Sequence, residues 1–382
     1  MSHTEQLARK FGDAATARDP VVVATDARRQ PGAPPLAVAD LQIDVADSIT
    51  VLEGLAGDYA RLHSVTPNAS PFSLHAWHVT WCRHFMNLDR NVRDELAVLF
   101  LGDAGECVGI VPLIVSHRPF GPLKIVSINL LGADPSTTES RTPLLAPGYE
   151  LRAARAVRHY LAQQPSWDWI NWSSITEEFG KVFALGGRGP RQTEAPGYVL
   201  DLAPTWEQFR VRLKRNIRES LRHCYNSLKR DGLCFELEVA REPVAVRRGL
   251  ERFLELHAMR AKMPSTIEHP DHFVSDVSRR FLFDVCERLS ACGTVRVFQL
   301  KVDAEAIKYA IAQGLTSVNL SRGTDNSKTR WGPREVAYTC AIEPRPRLSS
   351  SLKFHCYDSA RAGRGLPSWL LQRLGRAQRV WQ

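Results

Sequence analysis

The stretch TVRVFQLKVDAEAIKYAIAQG, residues 294–314, decides how the second half of this chain reads. Thr294 to Val302 is rich in β-branched and apolar side chains and predicts a strand. Asp303 to Gln313 already reads as a helix, and Gly314 closes it with the residue best suited to a left-handed backbone. A strand therefore passes into a helix across one residue, with no room for further strands between them.

Downstream, Leu315–Leu320 predicts a strand, Ser321 to Arg334 a polar loop, and Glu335–Ile342 a last strand. Glu343 to Gln382 carries eight basic residues against Glu343 and Asp358, and its spacing allows a helix over Ser368–Val380. Upstream, Thr205 opens a long helix and Gln208 completes a capping box. Phe209, Leu213, Ile217, Leu221, Tyr225 and Leu228 follow three or four apart, as far as Gly232. Helices are expected over Val244–Lys262 and Asp271–Ala291, the latter ending at Gly293.

In the first half, Leu52, Leu55, Tyr59 and Leu62 recur at helical spacing. Ser73 reads as the cap of a second helix with Trp77, Trp81 and Phe85 on one face. Leu96–Leu101 and Cys107–Val115 predict a hairpin about Gly102-Asp103-Ala104-Gly105. A strand over Lys124–Leu131, a helix over Leu151–Ala162 and a strand over Asp168–Trp172 follow. The expected organisation is a tail at 1–45, mixed α/β units at 46–197 and 198–345, and a basic extension at 346–382.

The 382 residues are 44% hydrophobic and 24% charged, which excludes a mainly disordered chain, a collagen and a coiled-coil rod. The net charge of +9 suits a polyanionic partner. Eight cysteines include no Cys-x-x-Cys pair. Cys224 and Cys286 fall on apolar helical stripes and are expected as buried free thiols of a reducing compartment. The N-terminus has no apolar core region, and the longest apolar runs are too short to span a bilayer, so a cytoplasmic protein is expected.

Three stretches carry a family resemblance. They are Ser70-Pro71-Phe72-Ser73-Leu74-His75-Ala76-Trp77 with the hairpin after it, the basic helix from Leu213 to Arg222 with Leu256-His257-Ala258-Met259-Arg260, and Leu320 to Gly332. Together they resemble the CelD-type acyltransferases of cellulose biosynthesis, which look like two tandem N-acetyltransferase (GNAT) folds and are related to the FemAB-type transferases. The resemblance implies a mixed α/β (α+β) fold of two GNAT-like folds, an acyl-CoA donor, and a saccharide or amine acceptor in envelope or exopolysaccharide metabolism. It also implies further strands and a phosphate-cradling turn before the helix at Ala304. Two or three such strands need roughly 25–45 residues. Asp303 alone fills the join, so the second fold is expected to be shortened by an internal deletion.

A helix N-terminus attracts a pyrophosphate through its free N–H groups and dipole. Here Asp303 and Glu305 occupy that position, so a cap is expected where an anion cradle would be, and no cofactor-binding residue is assigned. The transfer needs little more than proximity, since the acceptor attacks the thioester directly. In the loop Ser321–Trp331, Arg322 and Lys328 can hold an anion, Asp325 can accept a proton, and Trp331 can offer a flat face to a ring. The alternative is a solvated loop with Trp331 packed on the core. On the basic helix, Arg215 and Arg218 can contact a phosphate or an acidic saccharide, with the uncharged Asn216 between them. The alternative is a solvated polar face. His257 is a second candidate base, or else a satisfied, half-buried histidine. His75, His78 and His84 have no carboxylate or Cys to complete a metal set, so no metal is expected. Two other readings remain: a Fem-like transferase using aminoacyl-tRNA, and a non-catalytic relative that binds nucleic acid or serves as a scaffold.

Overall fold

The computed structural model describes residues 41–67, 69–133, 138–164, 166–183, 191–193, 196–230, 237–263, 270–300, 307, 310–323 and 326–361. The tail before residue 41, the join at 301–306, Asp325 and the helix expected over 368–380 lie outside the described residues.

Alternating strands build the first sheet from β1 (Gln42–Ala46), β2 (Arg93–Asp103), β3 (Glu106–Phe120), β4 (Leu123–Leu130), β5 (Leu144–Leu145), β6 (Trp169–Thr176) and β7 (Arg191–Thr193). The β2–β3 hairpin turns on Ala104 and Gly105, both at positive φ, with Asp103 opposite Glu106. Helices α1 (Ile49–Glu53), α2 (Ala56–Val65) and α3 (His75–Phe85) cover one face, burying Leu52, Tyr59 and Leu62 against Phe100 and Ile110. Helices α4 (Glu150–Gln163) and α5 (Glu177–Phe183) cover the other, burying Val157 and Phe183 with Leu99, Val111 and Trp172.

The second half contributes β8 (Gly197–Asp201), α6 (Trp206–Arg212), α7 (Arg215–Arg230), β9 (Leu237–Ala240), α8 (Pro243–Lys262), α9 (Asp276–Ala291) and β10 (Val297–Leu300). After it come β11 (Ser317–Arg322), α10 (Asn326–Thr329), β12 (Arg334–Val336), β13 (Tyr338–Pro344) and α11 (Leu348–Arg361). β9 and β10 form one antiparallel pair, and β11-β8-β12 form a separate three-stranded sheet. Gly314 ends its helix as expected. Its N–H reaches the Ile311 carbonyl and the Leu315 N–H reaches Ala310, satisfying carbonyls the helix leaves open.

Several expectations are corrected. The long helix from Thr205 breaks at Leu213, which is extended (φ −66°, ψ 145°) and buried; the elbow lets both α6 and α7 reach one small core. Thr205 does cap α6, its Oγ1 accepting the Gln208 N–H at 3.2 Å. Cys224 is exposed; among the described side chains of α7, Ile217 and Leu221 are the ones that reach that core. Ser73 is not a cap; its hydroxyl donates to the Thr142 carbonyl, and Leu74 precedes the helix. Part of the expected tail, Gln42–Ala46, is β1, paired antiparallel with β2. The expected last strand is two strands, β12 pairing β8 and β13 pairing β6 and β7.

The two halves are interwoven. β13 sits between β6 and β7 in the first sheet, although the sequence reading assigns it to the second unit. On α9, Phe281 is fully buried in the first core, its ring centroid 5.0 Å from those of both Trp77 and Phe85. α11, within the expected extension, packs Phe354 against Trp169. The buried Asp168 ties the segment that follows β13, residues 345–353, to β4. Its carboxylate accepts from the Val126 N–H (2.9 Å), Ser350 Oγ (3.2 Å) and Lys353 Nζ (3.1 Å), while its carbonyl accepts from the Arg345 N–H (2.7 Å). Asp168→Ala strands a largely buried ammonium and is expected to cost about 2–3 kcal/mol by urea denaturation.

In the first core, Tyr59 Oη lies 3.1 Å from His78 Nδ1. Burial, reinforced by the positive charges of His75 and Arg141, lowers the His78 pKa to about 3. The unfolded chain takes up that proton below the ordinary value near 6.5, whereas the folded protein does not until about 3. Stability therefore falls as pH drops through this window. A thermal-melt series in His78→Gln should show a shallower fall between those two pH values than the parent chain does.

Candidate functional site

The elbow at Leu213 folds α7 beside α6 and opens a cavity of about 660 Å³ between them. Arg215, Arg218 and Arg222 recur on one face of α7, and Arg210 comes from α6. Trp206 and Tyr225 add aromatic walls. Glu219 is the single carboxylate in the lining, and Arg215 Nε donates to it at 2.7 Å. Arg218 Nη1 donates to the Val211 carbonyl at 3.4 Å. The Arg210 and Arg222 side chains have no ion pair or hydrogen bond among the described residues. Four guanidinium groups against one carboxylate make this cavity attractive to an anion. Asn216 is exposed at the start of α7, its Oδ1 3.0 Å from the Ile217 N–H.

A second cavity, of about 570 Å³, is lined by Lys328 and Trp331 with Phe298, Ile307, Leu315 and Leu320. Trp331 is buried, and the Arg330 guanidinium lies 5.4 Å from its ring centroid. The tryptophan thus forms a wall of the core as well as of the cavity. The loop is pinned at its start. Ser321 has φ 68°, its N–H donating to Asn319 Oδ1 at 2.8 Å, and the Gly323 N–H reaches the Pro196 carbonyl. Arg322 ends β11, opposite Gly197; its side chain and all of Asp325 lie outside the described residues. One small hydrophobic cluster backs both cavities. Trp206 and Leu221 belong to it on the arginine side, and Ile307, Leu320 and Trp331 on the other.

His257 lines neither cavity. Its Nε2 accepts the His272 N–H at 3.2 Å, Asp271 lies 3.6 Å away, and the Phe273 ring packs edge-on. The three histidines of the first half weighed as a metal set have their own partners: His75 the Leu52 carbonyl (2.8 Å), His84 the Asp284 carboxylate (2.7 Å), His78 the Tyr59 hydroxyl.

Two strands of the first sheet part company. β4 and β6 run parallel and pair at three positions, ending at Asn129 and Asn171. Past that point Arg141 fills the gap. Its Nη1 donates to the Leu130 carbonyl (2.8 Å), its other terminal nitrogen to Ser173 Oγ, and its backbone N–H to the Ser174 carbonyl (2.8 Å). Gly132, at φ +87°, turns the chain away just after β4. A Cβ there would lie 3.1 Å from the His78 ring, so no other residue fits without strain. Small polar residues flank this gap on the sheet face, and the sequence reading missed them. Their signal is legible in retrospect as period-two polarity in Ser127-Ile128-Asn129 and Asn171-Trp172-Ser173.

Residues 215–343 match a family model described as acetyltransferase (GNAT) domain; residues 1–214 and 344–382 fall outside the match. The match begins at the first residue of α7 and ends within β13. No curated protein matches the chain. Among solved structures, the chain is similar to L-PGS from Bacillus licheniformis (11% identity, 63% of this chain and 83% of that one, TM-score 0.36). It is also similar to FemX (11% identity, 74% and 94%, TM-score 0.35). A tandem GNAT protein from the clavulanic acid biosynthesis pathway gives 11% identity, 80% and 100% coverage, and TM-score 0.34. Similarity this distant assigns neither activity nor ligand.

The geometry at the gap makes its own prediction. Arg141→Ala leaves the Leu130 carbonyl unsatisfied and should cost about 2–3 kcal/mol in urea denaturation. Arg141→Lys should not recover it, because a point-like ammonium cannot bridge both strands.

Proposed function

We propose that this chain is an acyltransferase of the GNAT type that takes its acyl group from acyl-CoA. The match of residues 215–343 to the acetyltransferase domain carries this reading, since it takes in the α7 side of the arginine cavity, with Arg215, Arg218 and Arg222, together with Lys328 and Trp331. Arg215, Arg218 and Arg222 hold the phosphate-bearing reactant, and Asn216, exposed at the start of α7, is a further contact for it. Lys328 serves the second cavity as an anion contact, with Trp331 as its wall, and Arg322 is a further anion contact of the reaction. The acceptor nitrogen or oxygen attacks the thioester carbon; the new bond forms as the C–S bond breaks, and the acceptor's proton leaves to a base. Asp325 is the preferred base, because His257 already uses its Nε2 lone pair on the His272 N–H. The acceptor class, a saccharide or amine of an envelope or exopolysaccharide precursor, follows from the CelD-type resemblance.

Two observations support neighbouring readings. Trp206 and Tyr225 among four arginines suit base stacking beside phosphate contacts, as a Fem-like enzyme using aminoacyl-tRNA needs. The β9–β10 pair and the β11-β8-β12 sheet do not join among the described residues, which supports a shortened second fold and a reduced donor site.

Thermal melts and calorimetry with acetyl-CoA test the proposal. At roughly 100 times Kd the melting temperature should rise by about 5 °C. Arg218→Ala with Arg222→Ala should weaken binding at least about tenfold. RNA binding with a steep salt dependence and no response to acetyl-CoA would move the assignment to the tRNA-dependent class. If the protein responds to neither acetyl-CoA nor RNA, the enzymatic reading is overturned.

A further inference from the structure

One face of the first sheet changes character along its strands. Beneath α1–α3 it carries Leu96, Val98, Phe100 and Ile114, all buried in the first core. Beneath α11 it carries Ile125 and Trp169, buried with Phe354. Between these covers the same face presents Asp94, Ser116, Ser127, Asn129, Asn171 and Ser173, on four adjacent strands. Register sets them in two neighbouring rows: Asp94 opposite Ser116 and Ser116 opposite Ser127 in one, Asn129 opposite Asn171 in the next. They floor a groove of about 540 Å³, within the range of small-ligand sites.

Polar side chains on a half-buried sheet face cost stability unless each finds a partner. Some do so within these rows. Ser116 Oγ donates to Asp94 Oδ1 (2.6 Å), Asp94 Oδ2 accepts the Asn87 N–H (3.0 Å), and Asn129 Nδ2 donates to Ser127 Oγ (3.2 Å). Asn129 Oδ1 and the Asn171 side-chain nitrogen have no hydrogen bond among the described residues. One acceptor and one donor therefore remain side by side on paired residues at the centre of the floor. The walls are aromatic, with Trp81 and Phe85 from α3 on one side and Phe354 and Tyr357 from α11 on the other.

Charge decides the ligand class. Asp89, Asp94 and Asp358 line the groove against Arg118 and Arg141; Arg118 is exposed and Arg141 is engaged by the Leu130 carbonyl and Ser173, so carboxylates outnumber guanidinium groups and the polar floor offers an anion no uncommitted cation. A neutral ligand with adjacent hydroxyl groups satisfies the open amide positions, and its apolar ring face packs on the aromatic walls. We infer that this groove binds a neutral sugar unit. The inference does not rest on the acyl-transfer reading, because all six floor residues lie outside residues 215–343 and sugar binding is read without any donor.

The test is calorimetry of the full chain with glucose, N-acetylglucosamine and cellobiose, each with and without inorganic phosphate. At least one sugar should bind saturably, and phosphate should not compete. Asn129→Ala and Asn171→Ala should each weaken that binding about tenfold or more, with the melting temperature held as the folding control. Should either variant fail to fold, Tyr357→Ala, which removes a wall from α11, serves in its place with the same loss expected. Absence of saturable binding by all three sugars, displacement by phosphate, or unchanged affinity in the folded variants would each overturn the assignment.

Discussion

The fold depends on one strand returning to a sheet it left long before. β13 inserts between β6 and β7, so the first sheet is continuous only when the chain from 338 to 344 has come back. Without it, the far edge of β6 would show unpaired N–H and C=O groups next to buried apolar side chains such as Ile170 and Trp172, a costly arrangement. Two further contacts act in the same sense. Phe281 of α9 enters the first core, and Asp168 binds backbone and side chains of two separated segments, β4 at Val126 and residues 345–353. The first half is thus finished by the second.

That dependence places the cavities. α9 faces two ways, with Phe281, Val285 and Leu289 in the first core and Leu282, Phe283 and Cys286 against α8 and β10. The small cluster behind Trp331 carries both the arginine cavity and the Lys328 cavity. α11, brought back by β13, forms one wall of the polar groove. The chemistry is segregated: guanidinium groups gather on α6 and α7, while amides, hydroxyls and balanced charges gather on the first sheet. The first arrangement favours an anion by Coulomb attraction, and the second offers hydrogen-bond positions that suit a neutral hydroxylated ligand.

Much of the local structure was legible. The β2–β3 hairpin, the helices beginning at Pro243 and Glu150, and the glycine stops at Gly293 and Gly314 follow from periodicity and turn chemistry acting over a few residues. The arginine face of α7 was legible for the same reason. Misreadings arose where distant contacts overrode local preference. The apolar repeat from Phe209 to Leu228 reads as one helix, yet burial of Leu213 in a core shared with Trp331 bends it into two. Glu335 to Ile342 reads as one strand, yet its two ends pair with β8 and β6, so it breaks at Ala337.

The polar rows on the first sheet show the boundary most clearly. Alternation in Ser127-Ile128-Asn129 tells which side chains share a face, because the strand repeat is two residues. It does not tell that Asn129 will stand beside Asn171, that Asp94 will stand beside Ser116, or that α3 and α11 will leave the space between them open. Secondary structure, caps and the charge of each helix face are properties of short segments, so they are written in the order of residues. Strand neighbours, the elbow at Leu213 and every cavity wall depend on contacts between residues far apart in the chain, and only the folded packing sets them.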